Sequence, residues 1–210
     1  MIELIDNLIQ LCAVLLGSIL SGVLYLRSRR QPYFLLCCFY GSFALALLYW
    51  TLYFGLFGET PRFFYVSEII WIAGCVLLYL LQFALSESVP RSFRCRTAYL
   101  APLAGAVLLV VYCADGNVIS GILRCSVMTA LAWKGIRAMA FYRKEPSSEA
   151  QIRRPFHRMI LIFVILENCL WLSSSPWQGD TLANLYFWID FALTVCFIAF
   201  LPAVRKAVMI

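Results

Sequence analysis

The chain has 210 residues, of which 63% are hydrophobic and only 13% charged. Water-soluble domains run near 45–50% apolar and about 25% charged, so a soluble globular fold is excluded. A net charge of +6 does not signal nucleic acid here, because the basic residues sit at the ends of apolar runs rather than on one folded surface.

Seven apolar runs follow one another: Leu8–Leu26, Tyr33–Gly58, Phe63–Leu85, Thr97–Ala114, Val118–Trp133, Met159–Trp177 and Thr181–Val204. Crossing about 30 Å of hydrocarbon takes about 18–20 residues at about 1.5 Å each. The runs predict an all-α integral membrane fold, one domain over residues 1–210, with helices at about 5–26, 33–57, 63–86, 97–114, 117–142, 155–175 and 181–204. The fifth run is short, and the stems of Lys134 and Arg137 are expected to extend it to the interface.

The first helix has an acidic flank (Glu3, Asp6) and is followed by arginines, so it is expected to stay as an anchor rather than be cleaved as a signal. Small residues four apart occur in the first (Gly17/Ser21, Ser18/Gly22), second (Ser42/Ala46) and fourth (Ala101/Gly105) helices. Such pairs let helix backbones approach closely in lipid. Trp50, Trp133 and Trp177 fall near helix ends, as interfacial belts do. The one long connection is "FYRKEPSSEAQIRRP" between the fifth and sixth helices, a candidate contact for anionic lipid or a cytoplasmic partner.

Fifteen of the seventeen basic residues fall on one side of this arrangement: Arg27, Arg29, Arg30, Arg91, Arg94, Arg96, the group from Lys134 to Arg158, Arg205 and Lys206. Arg62 stands on the other. Cytoplasmic loops carry the Lys/Arg excess, which predicts an N-out, C-in protein of the bacterial plasma membrane type.

Four ionisable residues interrupt the helices: Glu68, Arg124, Glu167 and Asp190. Counting helix rise from the outer ends puts all four about 7–14 Å deep. Facing lipid would be costly, so they are expected to face one another or a water-filled cavity. Helical spacing adds Tyr65, Trp71 and Cys75 to the Glu68 face, Trp171 to the Glu167 face, and Tyr186 and Thr194 to the Asp190 face. Asn168, beside Glu167 in "ILENCLWL", joins the candidate set. Aromatic walls with a few convergent polar groups suit a small organic ligand, and aromatic faces attract cations. The alternative is a set of interhelical ion pairs that only hold the bundle together.

Several chemistries lack their parts. His157 is the sole histidine and sits at the opposite helix end from Ser173, Ser174 and Ser175, so no Ser–His–acid arrangement can form. One histidine cannot build a histidine-rich zinc site, and no phosphate-binding glycine motif occurs. The nine cysteines show no C-x-x-C spacing. No catalytic residue, metal or cofactor is expected, although a carboxylate pair such as Glu167 and Asp190 keeps an intramembrane hydrolase conceivable.

"RRQPYF" before the second helix echoes "IRRPFH" before the sixth, and "FYVSE" in the third echoes "YFWID" in the seventh. This 3+1+3 pattern resembles the plan of SWEET-type sugar carriers and their PQ-loop relatives, although Gln31–Pro32 reverses the characteristic dipeptide. The overall layout also resembles the seven-helix membrane portions of bacterial sensor kinases. It is similar to microbial rhodopsins in helix count, but "WIDFALTV" carries Thr194 where a retinal lysine would stand. The first resemblance implies a carrier, the second a sensor. The leading expectation is a sensor or receptor-like protein binding a cationic or hydroxyl-rich molecule from the outer side. A proton- or cation-coupled carrier ranks second and an assembly subunit third.

Overall fold

A computed structural model describes residues 2–59, 61, 65–86, 93–114, 116, 118–144, 147–174 and 181–209, with the side chains of 148 and 149 left aside. Arg62, Arg91, Ser175 and Trp177 lie outside the described residues. The described chain is helical: α1 (Ile2–Ser28), α2 (Gln31–Phe57), α3 (Tyr65–Leu85), α4 (Leu100–Ala114, led by a 3-10 turn at Arg96–Tyr99), α5 (Val118–Lys144), α6 (Ser148–Ser174) and α7 (Leu185–Val208). All except α5 meet the length and hydropathy expected of a membrane span, α4 together with its leading 3-10 turn.

Local chemistry sets several ends. Pro32 stands in the first turn of α2, where its missing N–H leaves no bond unmade. Arg29 takes a left-handed φ of 56° in the α1–α2 turn. Gly58 caps α2 at φ 69°, its N–H donating to the Phe54 carbonyl at 2.8 Å, the left-handed ending that glycine adopts most cheaply.

The sixth helix begins earlier than its apolar run. The segment expected as a long loop is largely the first two turns of α6, and Pro155 lies inside the helix. Ser147 is the missed signal: its Oγ accepts from the Ala150 N–H at 3.2 Å, satisfying one of the donors that a helix start leaves open. The proline that seemed to mark the start of the helix therefore sits in its second turn, unlike Pro32 in α2.

Six helices close a ring in the order α1–α2–α3–α5–α6–α7, α7 returning to α1, while α4 packs on α5 outside it. Small residues lie at these seams. A methyl group on Gly17 would come within 2.8 Å of the Tyr40 ring, and Ser18 Oγ donates to the Cys37 carbonyl at 3.1 Å. Tyr40 in turn donates to the Phe197 carbonyl at 2.6 Å, joining α2 to α7.

Burial is inverted relative to a soluble protein. Gln10, Glu68, Gln82, Arg124, His157, Glu167 and Asp190 are buried, while Leu16, Val110 and Ile119 are 60%, 71% and 78% exposed. Apolar side chains outside and ionisable ones inside is the arrangement hydrocarbon solvent favours. It marks an integral membrane helix bundle. In α5 the in-span charges point inward too. Lys134 Nζ lies 4.6 Å and 4.5 Å over the Tyr79 and Phe83 rings of α3.

Candidate ligand-binding cavity

A cavity of about 210 Å³ lies at the end of the bundle where α1 begins. Five ring helices line it: Asn7 and Gln10 from α1, Phe43, Leu47 and Trp50 from α2, Glu68 and Trp71 from α3, Glu167, Leu170, Trp171 and Ser174 from α6, and Tyr186, Asp190 and Leu193 from α7. The sixth, α5, contributes Arg124 from behind the wall.

Arg124 Nη2 donates to Glu68 Oε1 at 3.2 Å, with both side chains almost wholly buried. Its guanidinium carbon lies 3.0 Å from the centroid of the Trp171 ring, a cation–π contact between α5 and α6. Among the described residues Glu68 Oε2 has no hydrogen-bond partner, although the residue is only 2% exposed. Burying an unmet carboxylate oxygen is costly, and Glu68 is one of the residues lining the cavity. Glu167 lines both this cavity and the narrow gap around Arg124 and Cys75.

On the opposite wall Gln10 Nε2 donates to Asp190 Oδ1 at 2.6 Å and to Thr194 Oγ1 at 3.2 Å. The Asp6 carboxyl lies near that of Asp190. Glu3 Oε1 accepts from Trp50 Nε1 at 3.3 Å, and the Trp50 and Trp71 rings stand 6.2 Å apart. An acidic stripe on α1 thus closes against α2 and α7.

The floor is aromatic. Phe39, Phe43, Phe163, Phe197 and Phe200 are at most 2% exposed. Their rings interlock, with centroids 4.8 Å apart for Phe43–Phe197 and 6.0 Å for Phe43–Phe163. This plug from α2, α6 and α7 separates the cavity from the other half of the bundle.

Six of the nine candidate residues read from the sequence line the cavity: Glu68, Trp71, Glu167, Trp171, Tyr186 and Asp190. Arg124 reaches it through its contacts with Glu68 and Trp171. Two stand elsewhere. Asn168 is one residue from Glu167, about 100° around the helix; its Oδ1 accepts from Tyr112 Oη of α4 at 3.4 Å and its Nδ2 donates to the Val164 carbonyl at 2.7 Å. Tyr65 is the first residue of α3 and 53% exposed, and it is not among the residues lining the cavity. Sequence reasoning missed Asp6, Asn7 and Gln10. Their signal was present as polar residues at positions 3, 6, 7 and 10, one helical face, but two of them read as a flank because the apolar run starts at Leu8.

The fold and cavity together define a class: a membrane helix bundle holding a buried, acid-rich, tryptophan-walled chamber at one end. No family model matches the chain, no curated protein is significantly similar to it in sequence, and no solved structure significantly matches its fold.

Proposed function

We propose that the chain crosses the membrane seven times, N-terminus outside and C-terminus inside, and binds a small cationic or hydroxyl-rich solute from the outer side as a sensor or receptor-like subunit. The observation that carries this reading is a cavity of about 210 Å³ lined by three buried carboxylate residues, Glu68, Glu167 and Asp190, with Glu68 Oε2 unpartnered among the described residues. Counting α5 as the seventh span rests on its inward-turned Arg124 and Lys134, which lower its hydropathy without exposing charge to lipid. The orientation rests on the basic residues gathered at the opposite end of the bundle. Membrane lipids cover the outer apolar faces, and the basic α5–α6 junction is the surface offered to a cytoplasmic partner. The aromatic floor favours one-sided access, hence sensing over carriage.

A carrier is the second reading, favoured by the buried polar pair Gln82 and His157 beyond that floor. The test is thermal melting of the full chain in detergent against alkylamines, quaternary ammonium ions and polyols. The expected result is a rise in Tm with at least one of them that Glu68→Gln and Glu167→Gln abolish. A flat response to the whole panel overturns the binding reading. Proton-gradient-driven uptake of a bound compound into vesicles would make the protein a carrier.

A further inference from the structure

We propose that the groove between α5 and α6, at the basic end of the bundle, binds the phosphate of an anionic phospholipid whose acyl chain lies along α6. This goes beyond the ligand-binding reading above and does not rest on the other cavity.

The groove holds a cavity of about 480 Å³, lined by Met139 and Tyr142 of α5 and by Gln151, Arg154, Pro155 and Arg158 of α6. The spacing of the four α6 residues sets them on one helical face. Arg154 and Arg158 are exposed and four apart, so their like charges repel along that face. An anion lying between them turns that repulsion into attraction, and the forked guanidinium is the side chain best shaped to hold phosphate oxygens. The Gln151 amide adds a neutral donor one turn away.

Neighbouring cations at this end are already engaged within the chain. Arg137 Nε donates to the Phe93 carbonyl at 2.9 Å, and Arg153 Nη1 to the Leu85 carbonyl at 3.1 Å. Among the described residues no side-chain or carbonyl partner meets the guanidinium of Arg154 or Arg158.

The course of α6 beyond the groove selects a lipid over a soluble acidic partner. Arg158 is the last charge before the apolar stretch 159–166. The same helical face continues through Ile165, 61% exposed, to Cys169, also exposed. A face that is cationic for two turns and bare hydrocarbon after them matches a headgroup and its chain in one register. A soluble acidic segment would use only the first part. Basic pockets between membrane helices suit anionic headgroups for this reason.

The experiment is native mass spectrometry of the full chain in detergent, titrated with phosphatidylglycerol, with phosphatidylcholine of the same chains, and with glycerol phosphate. Phosphatidylglycerol is expected to bind about tenfold or more tighter than phosphatidylcholine, whose own ammonium offsets its phosphate. Arg154→Gln/Arg158→Gln should bring it down to the phosphatidylcholine level. Arg27→Gln/Arg29→Gln removes the same charge at the α1–α2 turn, across the ring from this groove, and should leave the preference within about twofold. Equal losses in the two double variants would mean a diffuse attraction to the basic end and overturn the site. Displacement of the lipid by glycerol phosphate would make the groove a soluble-phosphate site instead. No preference for phosphatidylglycerol would overturn the lipid assignment and leave the groove to a cytoplasmic partner. Should the Gln pair fail to fold, Arg154→Lys/Arg158→Lys keeps the charge but loses the fork, and a preference that it leaves undiminished would equally overturn the site.

Discussion

The same three helices, α3, α5 and α6, carry polar groups into both halves of the bundle. Toward the α1 end they supply Glu68, Arg124 and Glu167; toward the other they supply Gln82, Lys134 and His157. In the first set Glu68 lines a cavity, and one of its carboxylate oxygens has no hydrogen-bond partner among the described residues. In the second, His157 is wholly buried, stacked on Tyr142 with centroids 5.6 Å apart and in edge contact with Phe156. Its Nδ1 lies 3.4 Å from Gln82 Nε2, and Lys134 rests on aromatic faces. The first set thus borders a chamber of about 210 Å³, whereas in the second His157 and Gln82 are packed among aromatic rings and Lys134 alone borders open volume, a cavity of about 270 Å³. What separates Glu68 and Glu167 from Gln82 and His157 is the surrounding side-chain volume.

The floor is the first place to break that contrast. Phe163→Ala should cost about 3–5 kcal/mol, read as a lower Tm in detergent. It should also let diethylpyrocarbonate reach His157, whose burial is expected to protect it in the parent chain. Unchanged protection of the sole histidine would mean that the floor is not what shields it.

Next comes the ion pair. Arg124→Met leaves Glu68 buried without its partner and should also cost about 3–5 kcal/mol. Arg124→Met/Glu68→Gln should recover much of that loss, since no charge is then stranded on α3. A double variant no more stable than the single would show that Arg124 acts mainly through Trp171.

The Gln82–His157 pair should answer oppositely. Among the described residues His157 Nε2 and Gln82 Oε1 have no hydrogen-bond partner, so Gln82→Leu/His157→Phe removes buried polar atoms along with their mutual contact. Stability should stay level or rise by up to about 1 kcal/mol, and cavity binding should not change. A Tm loss equal to that of Arg124→Met would erase the distinction between the halves.

The smallest effect is a rate at the basic end. Cys95 lies outside the helices, and its Sγ contacts Thr97 Oγ1 at 2.9 Å. That hydrogen bond, aided by nearby backbone N–H groups and by Lys144, holds the thiol below its ordinary pKa. A lowered pKa means more thiolate near neutral pH, so alkylation should be faster than for an ordinary thiol. Thr97→Val should slow it, and the difference should vanish once the pH exceeds the ordinary thiol value and both forms are thiolate. A membrane-impermeant maleimide applied from each side would use the same residue to test the proposed orientation.

Much of the fold could be read from composition, because hydrocarbon solvent imposes a simple rule: a helix must be long and apolar, and any charge within it is conspicuous. Glu68, Arg124, Glu167 and Asp190 stood out for that reason, and Trp71, Trp171 and Tyr186 followed from helical spacing. The rule fails at helix ends. Glu3, Asp6 and the segment before Pro155 looked like solvated flanks because polar residues are normal there, although α1 and α6 include them.

By itself the sequence determined that the chain folds as long apolar helices and which of them carry ionisable groups, since both depend only on local composition and the 3.6-residue repeat. Tertiary structure alone decided which groups meet. The turn of each helix about its axis sent Asn168 to Tyr112 and Glu167 to the cavity, and the ring order brought α1 against α7 so that Asp6 and Gln10 reach Asp190. Volume was decided there too: five phenylalanines from three helices fill the middle of the bundle, and the space left above them follows from how those side chains pack rather than from any single stretch of chain.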